Sequence, residues 1–228
     1  MSIRPSTTPL LLVATSALLC HPVAAQESVT LQFLSFPKSL DPQPVELIVG
    51  EGKTIEVEIP TNALSQPYEV DRQASWIVGK TEIDSDGSPV FEVYGQARSL
   101  AVSSQIILLI REGENNADGM RVMPINNDIA NFGGGKFLFM NAAKVDIAGE
   151  VGNVQFALRP GTFSIIQPQP DNENGRNFHA MFYFRKDDEA RPFFSSRWPI
   201  SDQARGLIFF YHDPTTNHLR MHSIRNFL

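Results

Sequence analysis

The chain has 228 residues, 42% of them hydrophobic, with 16 phenylalanines, a single cysteine and a formal net charge of −6. An acidic chain with no basic cluster has no electrostatic footprint for nucleic acid or an anionic membrane surface. One cysteine supplies no internal disulfide, so the fold must rest on apolar burial, and the length allows one large domain or two of about 100 residues.

The first segment, 1–25, reads as an export signal rather than as fold. Arg4 is its only charge, Leu10 to Leu19 is apolar, and Val23-Ala24-Ala25 places small residues at the −3 and −1 sites of a signal-peptidase cut. Cleavage there starts the mature chain at Gln26, removes Cys20 and one arginine, and takes the net charge from −6 to −7. A lipoprotein signal ending at Cys20 is the rival reading, but it wants a small residue before the cysteine and Leu19 stands there. The apolar run is too short to span a bilayer, and no later segment approaches the ~20 apolar residues of a membrane helix. The expected location is the periplasm or the medium.

After Gln26 the pattern is that of strands. Ser28 to Phe36 alternates with period two, and the prolines of 37–44 break it. Val45 to Val49 and Thr54 to Ile59 flank Gly50-Glu51-Gly52-Lys53 as a hairpin, with Val45, Leu47 and Val49 facing one side, as do Ile55, Val57 and Ile59, and with Glu46, Glu56 and Glu58 on the solvated side. Further strands are predicted at Ser75 to Val78, Val90 to Gln96, Gln105 to Arg111 and Met120 to Ile125. The run from Ile106 to Ile110 is apolar at both parities, which predicts a central strand covered on both faces. Asp84-Ser85-Asp86-Gly87 is read as an Asp-Gly hairpin turn; it lacks the remaining ligands of a calcium loop. Asn126 to Gly135 is the best linker or crossover, and its glycines do not have the spacing of a phosphate loop.

Lys136 to Pro168 then holds four short apolar runs separated by turn residues, read as consecutive antiparallel strands. Gln167 to Arg176 is a polar loop, followed by strands at His179 to Phe184, Pro192 to Trp198, Gly206 to His212 and His218 to Ile224. No amphipathic helix is expected. Sliding residues 98–127 by 99 positions onto 197–226 needs no gap: Arg98 falls on Arg197, Arg121 on Arg220, Ile125 on Ile224 and Asn127 on Asn226. Shared element order and apolar pattern predict a tandem repeat. The expected fold is all-β, two tandem Greek-key β-sandwich units of immunoglobulin-like type, with one large sandwich or barrel as the alternative. The boundaries are 26–127 for the first unit, 128–135 for the linker and 136–228 for the second.

The second half, with Phe137-Leu138-Phe139-Met140-Asn141, the Leu158-Arg159-Pro160-Gly161 turn, Ser195-Ser196-Arg197-Trp198-Pro199 and Leu207-Ile208-Phe209-Phe210-Tyr211, resembles poorly characterised exported β-sandwich proteins of planctomycete and verrucomicrobial genomes. That resemblance covers about half the chain. Its motifs are structural, and it carries over no established activity and no catalytic residue.

Chemistry is sparse. There is no G-x-S-x-G elbow and no H-E-x-x-H, and the mature chain has no cysteine for nucleophilic attack or a blue-copper site. The richest stretch is the last hairpin. If His212 pairs with His218, Phe210 lies opposite Arg220 and Ile208 opposite His222, leaving Leu207, Phe209, Tyr211, Leu219 and Met221 as the core face. His212 and His218 are then a possible metal pair or exposed neighbours, while His218 and His222, four apart on a strand, are too far apart to chelate one ion. Arg197 and Trp198, with Phe210 and Arg220, are the candidate aromatic and cationic patch for sugars or an acidic partner. No cofactor is called for. The preferred reading is an exported non-enzymatic protein that binds or scaffolds a protein or glycan partner in the periplasm or cell envelope. The alternatives are a secreted hydrolase or carbohydrate-active protein with carboxylates between the halves, and a metal carrier using the last hairpin.

Overall fold

The structure, a computed structural model, describes residues 27–37, 42–111, 119–171, 175–186, 189–213 and 216–228. The expected signal segment and nearly all of the acidic turn at 113–119 lie outside the described residues. The fold is all-β apart from one helical turn. The first half runs β1 (Ser28–Phe36), β2 (Val45–Gly50), β3 (Lys53–Val57), β4 (Tyr68–Asp71), β5 (Ser75–Ile83), β6 (Pro89–Arg98), β7 (Ser104–Arg111) and β8 (Met120–Asn126). After α1 (Ile129–Phe132), the second half runs β9 (Phe137–Asn141), β10 (Ile147–Val151), β11 (Val154–Leu158), β12 (Phe163–Ile166), β13 (Asn177–Lys186), β14 (Glu189–Pro199), β15 (Ala204–His212) and β16 (Leu219–Phe227).

These strands form four four-stranded sheets, ordered β4-β1-β7-β8, β3-β2-β5-β6, β12-β9-β15-β16 and β11-β10-β13-β14. Adding eight to each label of the first two orders gives the last two. In each half the first strand runs parallel to the seventh, β1 beside β7 and β9 beside β15, while the other pairs are antiparallel. Each half also carries one bulge in its longest hairpin. Tyr94 is passed over between Val78↔Gly95 and Gly79↔Val93, and Phe193 between Phe182↔Phe194 and Tyr183↔Pro192. The two bulged residues stand 99 positions apart, the same slide that aligns the sequences.

Three apolar clusters hold the sheets together. The first lies within the first half, where Phe33, Leu47, Trp76, Ile107 and Leu109 meet, and the third within the second half, where Phe139, Ile147, Phe178, Phe182 and Phe210 meet. The second joins the halves, with Leu34, Phe36, Ile106, Leu108 and Ile110 from one and Leu138, Met140, Leu207 and Phe209 from the other. The β1/β7 and β9/β15 sheets are therefore inner layers, buried on both faces. That is why β7 is apolar at both parities, and all five residues from Ile106 to Ile110 are buried as the sequence predicts.

The Asp84 turn forms as expected. Its carboxylate Oδ1 accepts from the amides of Asp86 and Ser88, 2.9 and 3.1 Å away, and Gly87 takes φ +81°. That side chain is occupied by its own turn, in the manner of an Asx-turn.

Two expectations are corrected, the strand order after Lys136 and the register of the last hairpin. The four runs from Lys136 to Pro168 are not one antiparallel meander: β9 and β10 lie in different sheets, β12 pairs with β9, and only β10 and β11 form a sequential hairpin. The join between the halves contains the helical turn α1, and Phe132 at its end is fully buried in the second cluster. In the last hairpin His212 pairs with Leu219, one residue off the expected register. Asn217 there takes a left-handed φ of 54°, and the loop closes through the Asp213 amide donating to the His218 carbonyl at 2.9 Å. A one-residue slip exchanges faces, so Phe210 lies opposite Met221, Tyr211 opposite Arg220 and Phe209 opposite His222. A short strand, β4, was not anticipated; it has four residues and follows Pro67.

Candidate functional site

Trp198 lies near the end of β14, and period-two alternation points it between the two sheets of the second half. Its indole is held from two sides: the Phe137 ring lies nearly parallel at 5.9 Å and 29°, and Phe178 meets it edge-on at 5.9 Å and 77°. Phe137 can lie there because its partner in the parallel register is Gly206, where a Cβ would come within 2.4 Å of the ring. The third cluster leaves Trp198 half-buried, and the indole walls a hollow of about 170 Å³ rimmed by Ser223 and Arg225 of β16.

Ser201 lines both this hollow and a neighbouring cleft of about 480 Å³. That cleft carries Gln167, Gln169, Arg176, Asp202 and Gln203. An aromatic face and a set of amide, carboxylate and guanidinium groups thus share one edge. Beneath it, Arg205 is 4% exposed. It donates to the Asn226 side-chain oxygen at 2.8 Å and to the Phe132 carbonyl at 2.6 Å, and its guanidinium sits 4.6 Å from the Phe132 ring centroid. Burial pulls its proton affinity down, to about 10. Arg205 therefore ties α1 to β15 and β16 and braces the floor of the hollow.

The sequence candidates divide among three places. Arg197 points away from Trp198 and pairs with Asp171 at 3.3 Å on the outer face of β14. Phe210 is fully buried in the third cluster and offers no surface to a partner. Arg220 is half-exposed and lies 3.9 Å from Asp213. The four residues expected as one patch, Arg197, Trp198, Phe210 and Arg220, are not brought together, because the register slip and strand alternation send them to different faces. His212 and His218 both line a separate pocket of about 500 Å³. His212 Nδ1 accepts the Lys144 amide at 3.4 Å.

Sequence reasoning missed Phe137, Ser223 and Arg225, because their proximity to Trp198 depends on sheet order. The Gly206–Phe137 pairing left one trace: a lone glycine opening an otherwise apolar strand, a sign of close approach. The crease between the halves, where the hydrolase reading puts its carboxylates, is filled by the apolar second cluster. Among the described residues no group of three or more His, Cys, Asp or Glu gathers at metal-binding distance, and no helix is long and apolar enough to cross a membrane. No protein-family model matches the chain, and no curated protein matches it.

Proposed function

We propose that the chain is an exported, non-enzymatic protein of two tandem Greek-key, immunoglobulin-like sandwich units that binds a glycan of the cell envelope through Trp198. The repeated strand order and the bulges 99 positions apart support the tandem reading. The single observation that carries the binding reading is Trp198 itself, half-buried, locked by Phe137 and Phe178, and opening beside a cleft of glutamines, Asp202 and Arg176. A sugar ring needs an apolar face to stack on and convergent donors and acceptors for its hydroxyls. A rigid indole provides the first at little entropic cost, and the Gln167–Gln203 side provides the second.

The chain has two tryptophans. Trp76 is fully buried with its indole N–H donating to Gln105 at 3.0 Å, so a ligand-dependent change in emission reports Trp198. Titration with soluble envelope oligosaccharides is expected to shift the emission and to lose that response in Trp198→Phe. A protein partner captured through the same face, with no response to any oligosaccharide, would replace the glycan by a protein. Export is tested by N-terminal sequencing of the mature product, with Gln26 expected as the first residue.

A further inference from the structure

Gly206 leaves a hole in an otherwise filled layer. It stands between Phe137 of β9, its parallel partner, and Arg225 of β16, its antiparallel partner, so the three positions share one face of the inner sheet. The Phe137 ring leans over the glycine backbone, and the space that remains is the hollow of about 170 Å³ lined by Phe137, Trp198, Ile208 and Ser223. Ninety-nine positions upstream, the slide that sets one bulge on the other, the glycine is replaced by Ile107, fully buried in the first cluster, and Trp198 by Ser99. The first half fills this space. The second leaves it open beside an indole.

The backbone at its mouth is open as well. The Gly206 amide donates to the Lys136 carbonyl at 3.0 Å, so Gly206 turns its main-chain groups toward β9, and its pairing with Arg225 is of the non-hydrogen-bonded kind. Ile208 and Ser223, two residues along, pair in the same way. β16 is the last strand of its sheet, so the N–H and C=O groups of Ser223 and Arg225 point out from the edge. Among the described residues no strand pairs with that edge.

We propose that the hollow takes the N-acetyl group of an amino sugar whose ring lies on Trp198. A whole small-molecule ligand occupies about 300 Å³ or more, so a hollow of this size holds a substituent and not a ring. An acetamido group matches both parts of the site. Its methyl is small and apolar, and its secondary amide offers the same N–H and C=O that a neighbouring strand would bring to the β16 edge. An extended peptide is the other occupant that an open edge attracts. A peptide would send a side chain into the gap at every second residue, yet the next inward position along β16, Met221, is packed against the third cluster. The gap there admits one group beside the indole. This inference rests on the glycan reading of Trp198 and names the class of sugar.

The test is a calorimetric titration of the full mature chain with chitotriose and cellotriose, which differ in carrying an acetamido group or a hydroxyl at C2. Chitotriose is expected to bind at least about tenfold more tightly. Ser223→Leu, which fills the hollow from its rim, should bring chitotriose down to the level of cellotriose, while Ser223→Ala, which keeps the hollow open, should retain the preference. Both substitutions are at an exposed position, so unfolding midpoints should stay near the parent value. Equal binding of the two sugars, or a preference that survives Ser223→Leu, would overturn the acetamido site and leave the glycan reading standing. Binding of neither sugar up to about 10 mM would overturn both. Binding of N-acetyl trialanine amide as tightly as chitotriose would give the edge to a peptide and overturn the proposal.

Discussion

The Phe137 ring lies over the backbone of Gly206 and stacks on Trp198, so one missing Cβ sets the position of the indole. Gly206→Ala puts a methyl 2.4 Å from the Phe137 ring. The ring must move, and overpacking of this kind costs about 1–3 kcal/mol. Chemical denaturation should show that loss, and the fluorescence response to oligosaccharide should weaken with it. Trp198→Phe should remove the response while keeping most of the stability, because it retains an aromatic ring against Phe137.

Trp76 and Gln105 form a buried pair in the first cluster, both fully inaccessible. Gln105 accepts the indole N–H at 3.0 Å and passes its own amide protons to Ser99 Oγ at 3.2 Å and the Leu100 carbonyl at 3.1 Å. Gln105→Leu keeps the bulk and strands those partners. An unsatisfied buried donor costs about 1–3 kcal/mol, so urea unfolding should show a loss in that range. Trp76→Phe in the Gln105→Leu background should recover part of it by removing the orphaned N–H.

His222 faces the crease between the halves, its ring 6.5 Å from Phe36. Its Nε2 is buried without a hydrogen-bonding partner among the described residues. Replacing an unpaired buried polar group by an apolar one of similar shape is neutral or stabilising. His222→Phe should therefore hold or raise the thermal midpoint by up to about 1 kcal/mol in stability. A loss above that size would show that His222 has a partner this geometry omits.

Glu46 accepts the Thr81 hydroxyl at 2.7 Å and the Thr81 amide at 3.1 Å. The hydroxyl bond, then the amide bond, hold its proton affinity below the ordinary glutamate value. A depressed folded-state value gives stability that is complete above the unfolded-state value and is lost as pH falls through the folded one. The wild type should therefore exceed Glu46→Gln in thermal midpoint at neutral pH and lose that margin in acid. The margin should be below about 1 kcal/mol, because solvent screens the site. A margin that grows in acid would contradict the assignment.

Strand positions were legible because alternation is local: β1 matches the expected Ser28–Phe36, and β7 begins one residue before its expected start. The double-faced burial of β7 was legible for the same reason, since one strand displays both parities. Partners were not. The run Phe137–Met140 has the same two-faced signature as Ile106–Ile110, yet adjacency in sequence suggested a meander, while the structure gives β9 a parallel neighbour about 70 residues downstream. The final hairpin differs by one residue of register: Met221 rather than Arg220 lies opposite Phe210, and His222 lies opposite Phe209, with Asn217 of the loop in the left-handed region. His212 and His218 stand out in the sequence by residue type, and their company with Arg185 and Arg191 depends on a β13/β14 pairing that no spacing reveals.

The middle cluster has a consequence for how the molecule can be divided. Leu34, Phe36, Ile106, Leu108 and Ile110 meet Leu138, Met140, Leu207 and Phe209, so each half gives up the outer face of its inner sheet to the other. A fragment cut at the join would carry a flat, greasy side into water and would be expected to self-associate. The boundary near α1 separates two patterns of sequence, while the apolar second cluster runs across it.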